Sequence, residues 1–87
     1  MPFNRSTIES LNRNQYGVYG IFQARGHWVY VGMGDIRQRL LDHLNGDNPC
    51  ITRNGPTHFY TWVTADAERQ EERLIAECRP LCNVRAS

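Results

Sequence analysis

Two tyrosines, an arginine, a histidine and one glutamate stand at spacings that bring chemically capable side chains together. Tyr19 and Tyr30 lie in two runs rich in aromatic and β-branched residues, 16–22 and 28–31, separated by the turn-like stretch 23–27. That pattern predicts a β-hairpin. With a two- or four-residue loop centred between Ala24 and Arg25, Tyr19 lies directly opposite Tyr30. Opposed residues of an antiparallel pair share a face, so two phenols are expected side by side. Arg39 and His43 are four residues apart, which stacks them on a helix. Glu71 follows Ala67 by four and precedes Leu74 by three and Ile75 by four. It therefore sits on the apolar stripe of a helix, and an inward carboxylate is costly unless it is paired or holds a metal. Three readings stay open from the pattern: a rim salt bridge with Arg39, a polar stripe edge, or a metal ligand.

The elements that must position these residues are legible from caps and periodicity. Ser6-Thr7-Ile8-Glu9 reads as a capping box opening a short helix that runs to about Arg13. Gly32-Met33-Gly34 is expected to break the second strand, and Asp35 to cap a helix through about Leu44. The stripe of that helix is Ile36, Leu40, Leu41 and Leu44. Asn45-Gly46 ends it, and residues 46–57, with their Pro and Gly breaks, read as a loop. Residues 58–63 form a third strand. A last helix starts near Thr64 or Asp66 and runs to about Cys78, stopped by Arg79-Pro80. The order α-β-β-α-β-α predicts a small α/β fold with a mostly antiparallel three-stranded sheet flanked by helices.

At 87 residues the chain has room for one core, and residues 1–87 are expected to form a single domain. Ten basic and nine acidic side chains leave a formal charge of +1, which argues against a cationic coat for non-specific nucleic-acid binding. All ten basic residues are Arg. Its planar donor fork suits phosphate, although a GC-rich genome accounts for the bias equally well. No apolar run approaches the roughly 20 residues that cross a bilayer, and the start lacks an apolar signal-peptide core. A soluble, cytoplasmic protein is expected, with the odd set Cys50, Cys78 and Cys82 as reduced thiols.

Gly17-Val18-Tyr19 and Tyr30-Val31-Gly32 together resemble the paired signature of the GIY-YIG endonuclease superfamily, with Val at both middle positions. The resemblance continues in order. Arg39-Leu40 followed by His43 is similar to the family helix with its Arg and, one turn on, a His or Tyr. Glu71-Glu72-Arg73-Leu74-Ile75 resembles the segment carrying the metal-binding Glu, and Pro80-Leu81-Cys82-Asn83 the closing Pro-x-x-Asn. One departure is Met33, where some repair members have a Lys.

The resemblance implies metal-dependent hydrolysis of DNA phosphodiester bonds leaving a 5′-phosphate. Glu71 would hold one divalent ion, Mg²⁺ or Mn²⁺, and Arg39 would clamp the scissile phosphate. Tyr19 and Tyr30 would orient and deprotonate the water, with Tyr30 first as base. His43 would add positive charge, and Asn83 would fix the pocket by hydrogen bonding. DNA is the implied partner, a membrane is not, and a homodimer would set two sites on two strands.

Each residue also has a plainer reading. The tyrosines can be packing aromatics, His43 a helix C-terminal charge, and Asn83 a turn residue. The competing function is a catalytically inactive nucleic-acid-binding or protein-interaction module on the same scaffold. A zinc module built on Cys78, Cys82 and two His is a third, with poor ligand spacing.

Overall fold

The computed structural model describes residues 1–83. Its elements run α1 (Arg5–Glu9), β1 (Tyr16–Gln23), β2 (His27–Asp35), α2 (Ile36–Leu44), α3 (Pro49–Arg53), β3 (His58–Val63) and α4 (Ala67–Cys78). The sheet order is β2-β1-β3, antiparallel throughout. β1 takes the centre because the stretch from Gly17 to Ile21 can be buried on both faces. On one face Tyr19, Ile21, Val29 and Phe59 pack with Ile8 of α1, Ile36 and Leu40 of α2 and Ile51 of α3. On the other, Val18 and Val31 pack with Ala67, Leu74 and Ile75 of α4. The sequence expectation of a three-stranded antiparallel sheet flanked by helices holds.

Several boundaries differ, each for a physical reason. α1 is capped by Asn4, whose side chain accepts from the Thr7 N–H at 2.8 Å, so the Ser6–Glu9 capping box does not form. Asn is as strong a cap as Ser, and here it starts the helix two residues earlier. The helix ends at Glu9, where the Ser10 hydroxyl turns back to the Thr7 carbonyl, well short of Arg13. β2 is not broken by Gly32-Met33-Gly34. It continues to Asp35, paired with β1 as far as Tyr16. The stretch read as a loop holds α3, capped by Asn48 with Pro49 in its first turn. In the sequence such a Pro reads as a break, yet its fixed φ and missing N–H suit the first helical position. The Asp35 cap on α2 is present, accepting from the Gln38 N–H at 3.4 Å, and α4 stops before Pro80 with Arg79 in the left-handed region (φ 47°).

The hairpin register also departs from expectation. Gln23 pairs with His27 around a three-residue loop, and Ile21 pairs with Tyr30 but Phe22 with Trp28. Val29 is thus the extra residue of a β-bulge. Tyr19 lies opposite Gly32 rather than Tyr30. The two phenols still share a face, because the net slip is two residues.

The thiols are not all reduced. Cys50 of α3 and Cys82 are joined in a disulfide, with Cα atoms 5.7 Å apart, and Cys78 alone is free. α3 and the closing segment pack on the same core, since Ile51 belongs to it and Cys82 lies against it. The bond removes Cys82 from any zinc site, and cysteine state no longer argues for a reducing compartment. Among the described residues no helix is long and apolar enough to cross a membrane.

At Gly17 the backbone of β3 leaves no room for a side chain on β1. A Cβ there would meet the Trp62 carbonyl and the Val63 Cα, and backbone cannot rotate away. Gly17→Ala is expected to destabilise the fold by about 1–3 kcal/mol through overpacking, read as a lowered urea midpoint. An unchanged midpoint would contradict this close approach.

Candidate functional site

The site grows from a vacancy in the sheet. Gly32 carries no side chain, and a Cβ there would collide with the Tyr19 hydroxyl. The Tyr19 ring therefore lies across β2 with no exposed surface. A buried hydroxyl needs a partner. α2 provides it: the Tyr19 oxygen is 2.8 Å from Nε2 of His43, itself only 2% exposed. The Tyr30 ring closes the group, its centroid 6.3 Å from that of Tyr19 and 5.1 Å from that of His43 in an edge-on contact.

Arg39, one turn before His43, reaches the same place. Its charge and hydrogen bonding act on both tyrosine hydroxyls. The guanidinium also lies 3.3 Å from Asp42 and 3.9 Å from Asp47. Asp47 in turn accepts from Nδ1 of His43 at 2.8 Å. Glu71, half-buried on α4, bears on the site from beyond the hairpin, since its charge acts on the Tyr30 phenol.

Asn83 holds the scaffold rather than touching this cluster's hydrogen-bond chain. Its carboxamide accepts from the Val31 N–H at 2.8 Å and donates to the Val31 carbonyl at 2.9 Å. It pairs with the outer edge of β2 as a neighbouring strand would. The Cys82 N–H extends that pairing to the carbonyl of Val29, the bulge residue next to Tyr30.

Protonation follows from burial. Desolvation pushes the Tyr19 phenol well above its ordinary range, helped by Tyr30 and opposed by Arg39. Tyr30 is raised in the same way, with Arg39 opposing and Glu71 adding to the rise. Both are neutral phenols near pH 7. Burial also lowers the pKa of His43, against the pull of its bond to Asp47, which favours the neutral imidazole near pH 7.

Tyr19, Tyr30, Arg39 and His43 are thus brought together, Glu71 lies within electrostatic reach of Tyr30, and Asn83 braces the strand that carries Tyr30. Asp47 was missed. It follows His43 by four residues, a helical spacing, but Asn45-Gly46 ends α2 between them. Gly46, at φ 89°, turns the chain back so that the Asp47 N–H reaches the Asp42 carbonyl at 3.2 Å.

A family described as a domain of unknown function (DUF7508) matches residues 1–80, and the chain belongs to that family. No curated protein matches it. Among solved structures, the chain is similar to the GIY-YIG N-terminal endonuclease domain of UvrC from Thermotoga maritima bound to its catalytic divalent cation, magnesium. The identity is 28%, over 93% of this chain and 100% of that one, with a TM-score of 0.75. A tyrosine-to-phenylalanine point mutant of that domain, bound to its catalytic divalent cation, matches at 28% identity and TM-score 0.75, over 94% of this chain and 100% of that one. The fold is that of the GIY-YIG endonuclease domain.

The neutral, buried His43 has a measurable consequence. In the unfolded chain it takes a proton near pH 6.5, whereas the folded chain resists until lower pH. The unfolded state therefore binds more protons in that window, and stability falls as pH drops. From pH 7.5 to 5.5 the urea midpoint of the wild type is expected to fall further than that of His43→Gln. Equal falls in the two proteins would contradict a neutral His43.

Proposed function

We propose that this member of the DUF7508 family is a DNA endonuclease that hydrolyses phosphodiester bonds with the help of one divalent cation. The observation that carries the reading is the convergence of Tyr19, Tyr30, Arg39 and His43 on one face of the hairpin, with Glu71 close enough to act on Tyr30. The likeness to a nuclease domain bound to its catalytic divalent cation supports it.

The residues fit a hard, largely hydrated ion. Among the described residues there is no group of three or more His, Cys, Asp or Glu able to cage a metal. Mg²⁺ commonly keeps several waters and uses one or two carboxylates plus phosphate oxygens, and Glu71 offers one half-buried carboxylate. Mn²⁺ suits the same oxygen ligands. When bound, the cation would neutralise phosphate charge and favour ionisation of water.

The chain's own residues then divide the work. Arg39 exchanges its contacts with Asp42 and Asp47 for the scissile phosphate, which its donor fork fits and which keeps it charged. The sequence reading put Tyr30 first as base. We assign proton removal to Tyr19, because its hydroxyl already rests on a base, Nε2 of His43. As the water oxygen attacks phosphorus, its proton passes to the Tyr19 oxygen and the Tyr19 proton passes to His43. No free phenolate is needed, which matters because burial raises the Tyr19 pKa. Tyr30, between Arg39 and Glu71 in its electrostatics, orients the water. The bond to the 3′-oxygen breaks, that oxygen takes a proton from solvent, and a 5′-phosphate remains. Asn83 keeps β2, and so Tyr30, in place.

Incubation with supercoiled plasmid and Mg²⁺ tests this reading. The wild type is expected to nick DNA and to stop when the cation is chelated. Glu71→Ala and Arg39→Ala are each expected to lose about 100-fold or more, with unchanged circular dichroism. Equal activity in all three proteins would contradict the assignment. DNA binding without cleavage would favour the inactive module.

A further inference from the structure

We infer that Asp47 is a positioning residue of this site, holding His43 in the one tautomer able to receive the Tyr19 proton; the inference rests on the proposed nuclease reading. A carboxylate can only accept hydrogen bonds. With Asp47 Oδ1 at 2.8 Å from Nδ1, Nδ1 must carry the hydrogen of the neutral ring. Nε2 is left with its lone pair, 2.8 Å from the Tyr19 oxygen, so the Tyr19 hydroxyl donates to it. The reverse tautomer would set two acceptors against each other at Nδ1 and two hydrogens against each other at Nε2. His43 is 2% exposed, which leaves solvent little access to fix its orientation instead.

The placement of Asp47 is built in by the backbone. The turn through Gly46 and the bond from the Asp47 N–H to the Asp42 carbonyl fold the chain back along the last turn of α2. From there one carboxylate serves two groups: Oδ1 on His43 and Oδ2 at 3.9 Å from Arg39. In the hydrolytic step His43 gains the Tyr19 proton at Nε2 and becomes an imidazolium facing Asp47. That charge pair offsets the cost of charging a buried ring. The titratable and charged groups around the ring are Tyr19, Tyr30, Arg39, Asp42 and Asp47. Of these, Asp47 is hydrogen-bonded to Nδ1.

Nitrogen-15 NMR of the His43 ring in the full chain, beside plasmid-nicking kinetics, tests the inference. The wild type should show Nδ1 protonated and Nε2 bare. In Asp47→Asn, whose amide can donate to Nδ1, the Nε2-protonated form should appear and kcat should fall at least about tenfold with KM little changed. Asp47→Glu should restore the wild-type tautomer and part of kcat. Asp42→Asn removes a carboxylate from Arg39 but not from His43, and should leave the tautomer as it was. Asp47→Asn with the wild-type tautomer, or with wild-type kcat, overturns the inference. A wild type that shows the expected tautomer but never cuts DNA overturns the nuclease reading and the catalytic role of Asp47 with it.

Discussion

One buried hydroxyl sets the arrangement of this molecule. Tyr19 has no exposed surface, so its oxygen must be satisfied from within, and leaving it bare would cost about 1–3 kcal/mol. The answer is its bond to His43, which ties the central strand to α2. That bond requires Gly32 in the neighbouring strand, since any larger residue would occupy the space of the Tyr19 ring. Burial lowers the pKa of that imidazole, which favours the neutral ring. The side chain one turn earlier, Arg39, then arrives beside the tyrosine pair by helix geometry alone. The structural demand for a hydrogen bond and the proposed need for a proton acceptor beside Arg39 thus meet in the same atoms.

The second layer acts through β2. α4 packs on the opposite face of the sheet from α2, yet the Glu71 charge is felt by Tyr30. The strand between these layers is an edge of the sheet, and an open edge is a weak place on which to mount a site. Here the closing segment covers it. Asn83 occupies both hydrogen-bonding groups of Val31, the Cys82 N–H takes the carbonyl of Val29, and the bond between Cys82 and Cys50 anchors the segment to α3. The bulge at Val29 has a use in the same place. It turns Val29 and Tyr30 toward one core, filling that core with Val29 while holding the Tyr30 phenol against His43.

Much of this was legible in the residues. The spacing of Arg39 and His43, the shared face of the tyrosines, the Asp35 cap and the inward Glu71 all follow from periods of two and 3.6. What escaped was carried by signals those periods lack. The bulge was hidden because residues 28–31 are apolar or aromatic throughout, so nothing marked one as extra. α3 was hidden because Asn48-Pro49 reads equally as a break or as a helix start. Asp47 was hidden because its approach to His43 passes through a left-handed glycine rather than along a helix. Cys50 and Cys82 are 32 residues apart, and an odd cysteine count pointed toward thiols. The resemblance to the GIY-YIG superfamily identified the fold correctly, and the local stereochemistry had to come from the coordinates.

The proposed nuclease activity requires that Glu71, the two phenols and Arg39 face one place where a cation and a phosphate meet. Crystals soaked in Mn²⁺ test it most directly through anomalous scattering. The account predicts one peak within bonding distance of the Glu71 carboxylate, on the side facing Tyr30, and its loss in Glu71→Gln crystals. A peak seated elsewhere, or one that survives the substitution, would contradict it.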